Sequence, residues 1–188
     1  MQGYGLAAGE PANTEDAVRW LHLAQSGDVA AFEALLRIHE IRVARTALRL
    51  LANRQDAQDA AQEVFLRLHR NLRHIDSAGN LSGWLYRVTV NVCHDMLRRR
   101  KNVESLDDSR FSLESSTEAD LEREQQRRMV VEAVGSLPEK ERAALTLRDL
   151  EGLSTREVAG ILGSSEATVR SQISAARVKI RKMLRCRL

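Results

Sequence analysis

The 188-residue sequence has little of what punctuates or staples a chain: 2 Pro, 10 Gly and 2 Cys. So little turn material, with only seven aromatics (Trp20, Trp84, Phe32, Phe65, Phe111, Tyr4 and Tyr86), argues against a turn-rich β-sandwich. Cys93 and Cys186 are far apart and form no CxxC, which excludes a disulfide framework; Cys93 reads as a small buried hydrophobe and Cys186 as a tail thiol. No apolar run approaches the ~18 residues of a membrane span, and the first basic residue is Arg19, too late for a charged signal region. The expected location is the cytoplasm, without membrane insertion. Five histidines (His22, His39, His69, His74, His94) show no ligand spacing such as HExxH, so neither a metal nor another cofactor is expected. Nor does any nucleophile stand beside a base, which removes the usual marks of an enzyme.

What the chain has is Ala, Leu, Arg and Glu, which favour helices. The expected fold class is all-α. Hydrophobic residues at 43% fall slightly below the ~45–50% of average domains, which suits two modest cores better than one large one. Residues 1–13 are Gly- and Ala-rich without periodicity and read as a flexible leader. Thr14 or Asn13 can cap a first helix carrying Val18, Leu21 and Leu23, which stops at Ser26-Gly27, and Asp28 can cap the next. There Phe32, Leu35, Leu36, His39, Val43, Ala47 and Leu50 build one apolar stripe, broken at Asn53–Asp56. Ala57, Ala60, Ala61, Val64, Phe65, Leu68 and Leu72 repeat the stripe and leave Asp56, Asp59, Gln62, Glu63, Arg67 and Arg70 outside; His69 reads as a surface residue. Beyond a polar loop at 76–80, Ser82 can cap a helix with Trp84, Leu85, Val88, Val92 and Leu97 that ends in Arg98-Arg-Arg-Lys101. Trp84 reads as core, and Tyr86, on another face, as the stacking aromatic.

Periodicity stops at Val103. Residues 103–120 are rich in Ser, Asp and Glu, the composition of a flexible acidic linker. The chain is therefore expected to comprise two small helical domains, 14–102 and 121–188, joined by that linker. Its formal net charge of +3 hides a pattern: residues 1–102 hold 14 basic and 11 acidic groups, 103–122 hold 1 and 7, and 123–188 hold 14 and 8. Two basic units flank an acidic strap. In the second, Ser136-Leu-Pro-Glu139 and Ser154-Thr-Arg-Glu157 have the form of capping boxes. After Val158, Ala159, Ile161 and Leu162, Gly163-Ser-Ser165 makes a tight turn into a second short helix, 166–177. Val169, Ile173 and Ala176 face inward there, and Arg170, Ser171, Ser174 and Arg177 outward. Helix, Gly-containing turn, polar-faced helix is a helix-turn-helix arrangement. Six basic groups without an acid in the last twelve residues fit phosphate neutralisation.

From about Ala17 to Leu184 the chain resembles the extracytoplasmic-function (ECF) group of sigma-70 family sigma factors. Asp56-Ala-Gln-Asp-Ala-Ala-Gln-Glu-Val-Phe65 is similar to region 2.2, and Trp84-Leu-Tyr-Arg-Val-Thr-Val-Asn91 through Arg100 to regions 2.3 and 2.4. Leu137-Pro-Glu-Lys-Glu-Arg142, Leu147-Arg-Asp-Leu-Glu-Gly-Leu153 and Thr168-Val-Arg-Ser171 are similar to region 4, and no region 3 fits between Lys101 and Leu121. The resemblance implies a factor that binds core RNA polymerase and directs initiation at promoters. It implies contacts of Asp56, Asp59, Gln62, Glu63 and Leu66 with the beta-prime clamp helices, and of region 4 with the beta flap. The minus-10 element would meet Asn80, Tyr86, Arg87, Asn91, Arg98, Arg99, Arg100 and Lys101; a pocket for an extruded base would lie at 76–83 and Asn91. The minus-35 element would meet Thr168, Arg170, Ser171, Ser174, Arg177 and Lys179. An anti-sigma factor is a further implied partner.

Ala167, Gln172, Ser174 and Ala175 depart from residues common in the family's recognition helix, so no minus-35 sequence carries over. Promoter elements two helical turns apart lie ~70 Å from one another, and an 18-residue linker reaches roughly 60 Å, so the domains' own widths close the gap. That linker, with Glu104, Asp107, Asp108, Glu114 and Glu118, is either a plain tether or a strap lying in a basic polymerase channel. A conventional helix-turn-helix activator would account for residues 137–188 alone and leaves the first half unexplained. A DNA-processing enzyme lacks its constellation.

Overall fold

The computed structural model of the chain describes residues 14–75, 81–103 and 129–185. The expected leader, the loop with Asn80, the linker beyond Val103 and Cys186 lie outside them, as do the side chains of 14–15 and 101–103. Helix α1 (Thr14–Gln25) stops before Gly27, whose φ of 99° turns the chain into α2 (Val29–Leu51). Asp28 caps α2 as expected, its carboxylate accepting from the Ala31 amide at 3.1 Å. Ala52 ends α2 in the left-handed region, φ 52°, and sends its amide to the Leu48 carbonyl. Asn53 then caps α3 (Arg54–Asn71) through the Asp56 amide at 3.0 Å. The break is thus shorter than the stripe indicates, because one side-chain oxygen starts the new helix three residues before its first core alanine.

A 3₁₀ turn (Leu72–His74) follows α3, and Gln25 ties it to the end of α1 by donating to the Leu72 and Ile75 carbonyls at 2.9 and 2.7 Å. Helix α4 (Leu81–Val103) lies across α2 and α3. Ser82 stands in its first turn rather than before it, since the helix already includes Leu81. Leu21, Leu35, Leu50, Val64 and Leu68 form the fully buried centre of this first unit. The apolar stripe legible in α2 is the one that packs, with Phe32 and Leu36 half-buried at its edge.

The second unit starts with α5, residues 129–135, followed by α6 (Glu139–Leu145), a π-helical turn (Thr146–Leu150), α7 (Thr155–Leu162) and α8 (Glu166–Arg185). Leu137, Leu147, Val158 and Val169 are its buried centre. The Ser136 box does not form. Pro138, with no N–H, holds the cap position of α6, while the Ser136 hydroxyl donates backward to the Ala133 carbonyl at 2.8 Å and satisfies the end of α5 instead. The two units touch: α4 packs on α7, and α2 on α6 and the π turn. Their buried residues form one contiguous cluster, not the two separate cores expected from composition. No described helix is long and apolar enough to cross a membrane.

His39 sits on the buried stripe of α2 at 3% exposure, and neither ring nitrogen meets a hydrogen-bond partner among the described residues. Burial, then the charge of Arg42, lowers its pKa from 6.5 to about 4. Below pH 6.5 the unfolded chain therefore takes up a proton that the folded chain refuses, and stability falls between pH 6.5 and 4, by about 3 kcal/mol from this residue. His39→Met is expected to flatten that slope in denaturant melts across this window; an unchanged slope would locate the acid sensitivity elsewhere.

Candidate nucleic-acid and polymerase interface

The helix-turn-helix forms from local chemistry. The Ser154 hydroxyl accepts from the Glu157 amide at 3.2 Å while the Glu157 carboxylate accepts from the Ser154 amide at 2.7 Å, the reciprocal box read in the sequence. Those hydrogen bonds hold the Glu157 carboxyl below its ordinary pKa. Gly163 closes α7 at φ 60°, and its amide and that of Ser164 both reach the Ala159 carbonyl. Ser165 opens α8, its hydroxyl accepting from the Thr168 amide at 3.1 Å and lying 2.8 Å from the Thr168 hydroxyl. Val169, Ile173 and Ala176 are buried, which turns Thr168, Arg170, Ser171, Ser174 and Arg177 outward. Polar residues of α8 thus share an open face beginning at its N-terminus.

Several of the cations are engaged within the chain. Arg170 pairs with Glu166 one turn back at 2.7 Å, an exposed contact that water readily replaces. Arg177 donates twice to Asp149, at 2.8 and 2.7 Å, so the π turn orients it. Lys179 donates to both carboxylate oxygens of Glu141 on α6, at 2.7 and 2.8 Å. Three positions beyond buried Ala176, it flanks the inner stripe of α8, its own side chain 43% exposed and that of Glu141 16%. Helix α8 also runs eight residues past Arg177, which places exposed Arg181, Lys182 and Arg185 on the same rigid rod.

On α4, Leu85, Thr89, Val92 and Cys93 are buried and Thr89 returns its hydroxyl to the Leu85 carbonyl at 2.7 Å. Cys93 is fully enclosed, its thiol pushed up to about 12 by burial, as befits a small hydrophobe. Arg87, Asn91 and Arg98, four and seven residues apart, form one exposed stripe, with Arg99 beside it. Arg100 turns back toward α3 and pairs with Asp56 at 3.0 Å, so a residue expected to hold DNA and one expected to hold polymerase hold each other.

Tyr86 corrects the sequence reading. It is only 5% exposed, against the side of α2 that carries His39 and Arg42, and its hydroxyl donates to Glu151 at 3.1 Å. Burial, reinforced by Glu151, raises the phenol to about 12. Two residues earlier, Trp84 is only half-buried and, with Tyr86 and Arg87, lines a cavity of about 360 Å³ between the N-terminal turns of α4 and helix α7. Trp84 packs against the core as expected, though at intermediate burial, and Tyr86 is the less accessible of the two because it reaches Glu151.

On α3, Asp59, Gln62 and Leu66 follow one another at three- and four-residue spacing on the outer face, and Leu66 is 51% exposed although it is a leucine. Glu63 flanks them, bridged to Arg67 at 2.8 Å. His69 is exposed as read, its ring meeting Phe32 edge-on at 5.4 Å. Sequence reasoning missed the carboxylates opposite these cations (Glu141, Asp149, Glu151) and the basic face of α2. Arg42, Arg45 and Arg49, at three- and four-residue spacing, were the available signal for the latter.

Residues 35–103 match the family Sigma-70 region 2, and residues 127–180 match Sigma-70, region 4. The ECF RNA polymerase sigma factor SigE of Mycolicibacterium smegmatis is 38% identical over 167 residues, 85% of this chain and 65% of that relative. The RNA polymerase sigma-H factor of Pseudomonas aeruginosa is 34% identical over 173 residues, 85% of this chain and 89% of that one. The ECF RNA polymerase sigma-E factor of Escherichia coli K12 is 33% identical over 168 residues, covering 83% and 87%. Among solved structures, CnrH in complex with the cytosolic domain of CnrY superposes with a TM-score of 0.70 at 25% identity, covering 91% of this chain and 98% of that one. The sigma factor RpoE of Bartonella quintana, in complex with the anti-sigma factor NepR, has the same fold, with a TM-score of 0.70 at 20% identity over 84% of this chain and 98% of that one. With both regions in order and relatives matched along most of their length, the chain belongs to the ECF group of the sigma-70 family, RNA polymerase sigma factors that recognise promoters in transcription initiation.

Proposed function

We propose that this chain binds core polymerase through the outer face of α3, with Asp59, Gln62, Glu63 and Leu66 against the beta-prime clamp helices. The stripe Arg87, Asn91 and Arg98, with Arg99, holds the opened minus-10 strand, and Trp84 is its stacking surface. Arg170, Ser171 and Ser174 enter the minus-35 major groove behind the capped N-terminus of α8, and the second unit also docks on the beta flap. The observation that carries this is that one chain displays two separate open cationic faces, on α4 and α8, beside a polar face on α3 exposing a leucine. A helix-turn-helix activator needs only one of the three. The protein acts in the cytoplasm, where polymerase is, and has no catalytic step of its own. An anti-sigma partner fits the likeness to CnrH, which is bound to the cytosolic domain of CnrY.

Adding the purified chain to sigma-free core polymerase with a genomic promoter library is expected to give promoter-dependent transcripts; specific duplex binding by the chain alone, without transcripts, would favour the activator. Arg170→Ala is expected to cost ~1–3 kcal/mol of discrimination at one minus-35 base pair. Arg181→Ala should weaken binding to every sequence alike and reduce the salt slope by about one, measured by fluorescence anisotropy at several salt concentrations. Lys179→Ala, its charge already met by Glu141, should leave that slope nearly unchanged. A drop equal to that of Arg181→Ala would show that Lys179 leaves Glu141 for DNA.

A further inference from the structure

We propose that Asp149 is a specificity-determining residue of the minus-35 contact: it bars Arg177 from phosphates and holds that guanidinium for a base edge in the major groove. The proposal rests on the minus-35 reading of α8 above. Arg177 donates from Nε to one carboxylate oxygen of Asp149 at 2.8 Å and from Nη2 to the other at 2.7 Å, so one whole edge of the guanidinium is closed by an acid. Its far edge, with parallel donors on Nη1 and Nη2, meets no partner among the described residues. The side chain of Arg177 is 58% exposed and that of Asp149 23%, which sets the carboxylate behind and the fork in front. The acid itself stands on a fixed base. It belongs to the π turn, in which Thr146 and Leu147 are fully buried and the Glu151 amide closes back on the Thr146 carbonyl at 2.9 Å. The pair of Arg170 with Glu166 is of another kind: a single contact within α8, its side chains 64% and 43% exposed, that either partner can leave.

Electrostatics favours a base over a phosphate at this arginine. A phosphate reaching Arg177 would find a carboxylate hydrogen-bonded to the same guanidinium, so attraction and repulsion nearly cancel and the contact releases little of the DNA counterion atmosphere. Exposed Arg181, Lys182 and Arg185, further along the same helix, serve phosphates without that opposition. A base edge carries no net charge. There the value of arginine lies in two parallel N–H donors aimed at O6 and N7 of a guanine, and a guanidinium already held in direction loses less rotamer freedom on making those bonds. Asp149 thus weakens the indiscriminate use of Arg177 and leaves the selective one, which widens the gap between right and wrong sequences. Arg177 lies two turns beyond Arg170 on the outward face, about 10 Å along the axis, so the two arginines meet different base pairs.

The test uses the full chain bound to core polymerase, on short duplexes randomised over the minus-35 element, with sequencing of the bound fraction for preference and fluorescence anisotropy for the salt slope. Arg177→Lys keeps the charge and loses the fork. It is expected to flatten the preference at one base pair about tenfold while the slope stays native. Asp149→Asn keeps the shape and removes the charge. It is expected to lower the preference at that same base pair and to steepen the slope by about one, so that raising salt from roughly 50 to 200 mM costs it about three to four times more affinity than the native chain. Helical circular dichroism checks that both variants fold; should Asp149→Asn not fold, Arg177→Lys decides alone. Native preference at every base pair in Arg177→Lys would overturn the proposal, and so would a native slope in folded Asp149→Asn. A native chain with no sequence preference over the randomised element would instead overturn the minus-35 reading itself, and the proposal with it.

Discussion

Much of this structure turns on how one carboxylate is buried. Glu151 sits almost out of water at the point where α2, α4 and the π turn converge, where the Arg49 guanidinium neutralises it and the Tyr86 hydroxyl donates to it. Both partners come from helices of the other unit. Their convergence fixes which side of α4 turns inward, and so decides which aromatic on that helix reaches solvent. It also brings the end of α2 close enough for Ala52 and Gly135 to meet. Buried ion pairs of this kind add little net stability over apolar packing, and their worth lies in specifying one arrangement among several.

The same economy governs the cationic surface. Of the basic side chains on α8, Lys179 and Arg177 face Glu141 and Asp149 of their own unit, while Arg181, Lys182 and Arg185 stay open. A count of basic residues along the chain therefore overstates how many phosphates the helix can meet. The acids do not merely dilute the charge. They hold long side chains in fixed directions, which reduces the rotamer freedom lost when a ligand arrives.

Local chemistry was legible in the sequence and tertiary pairing was not. The caps at Asp28 and Ser154, the Gly163 turn and the stripe of α2 follow from side chains within four residues of the backbone they satisfy, and they stand where a reading of residue types places them. Ser136 departs because the end of the preceding helix competes for the same hydroxyl. Tyr86 departs, and the pairing of Lys179 was unforeseen, for a longer-range reason: their partners lie 65 and 38 residues away, and nothing in a helical period announces a carboxylate on a distant element. The stripe of Arg87, Asn91 and Arg98 was visible as residue types, whereas the asymmetry between Trp84 and Tyr86 needed the packing of α4 on its neighbours.

The π-helical turn at Thr146–Leu150 carries Asp149 near its end and Glu151 just beyond it. Asp149 grips the recognition helix through Arg177; Glu151, two residues on and facing another way, grips the first unit through Arg49 and Tyr86. One short segment thus has a hand on each half of the molecule. The direction in which Arg177 reaches from the recognition helix and the place where the second unit meets the first are therefore set by three consecutive residues, Asp149 to Glu151.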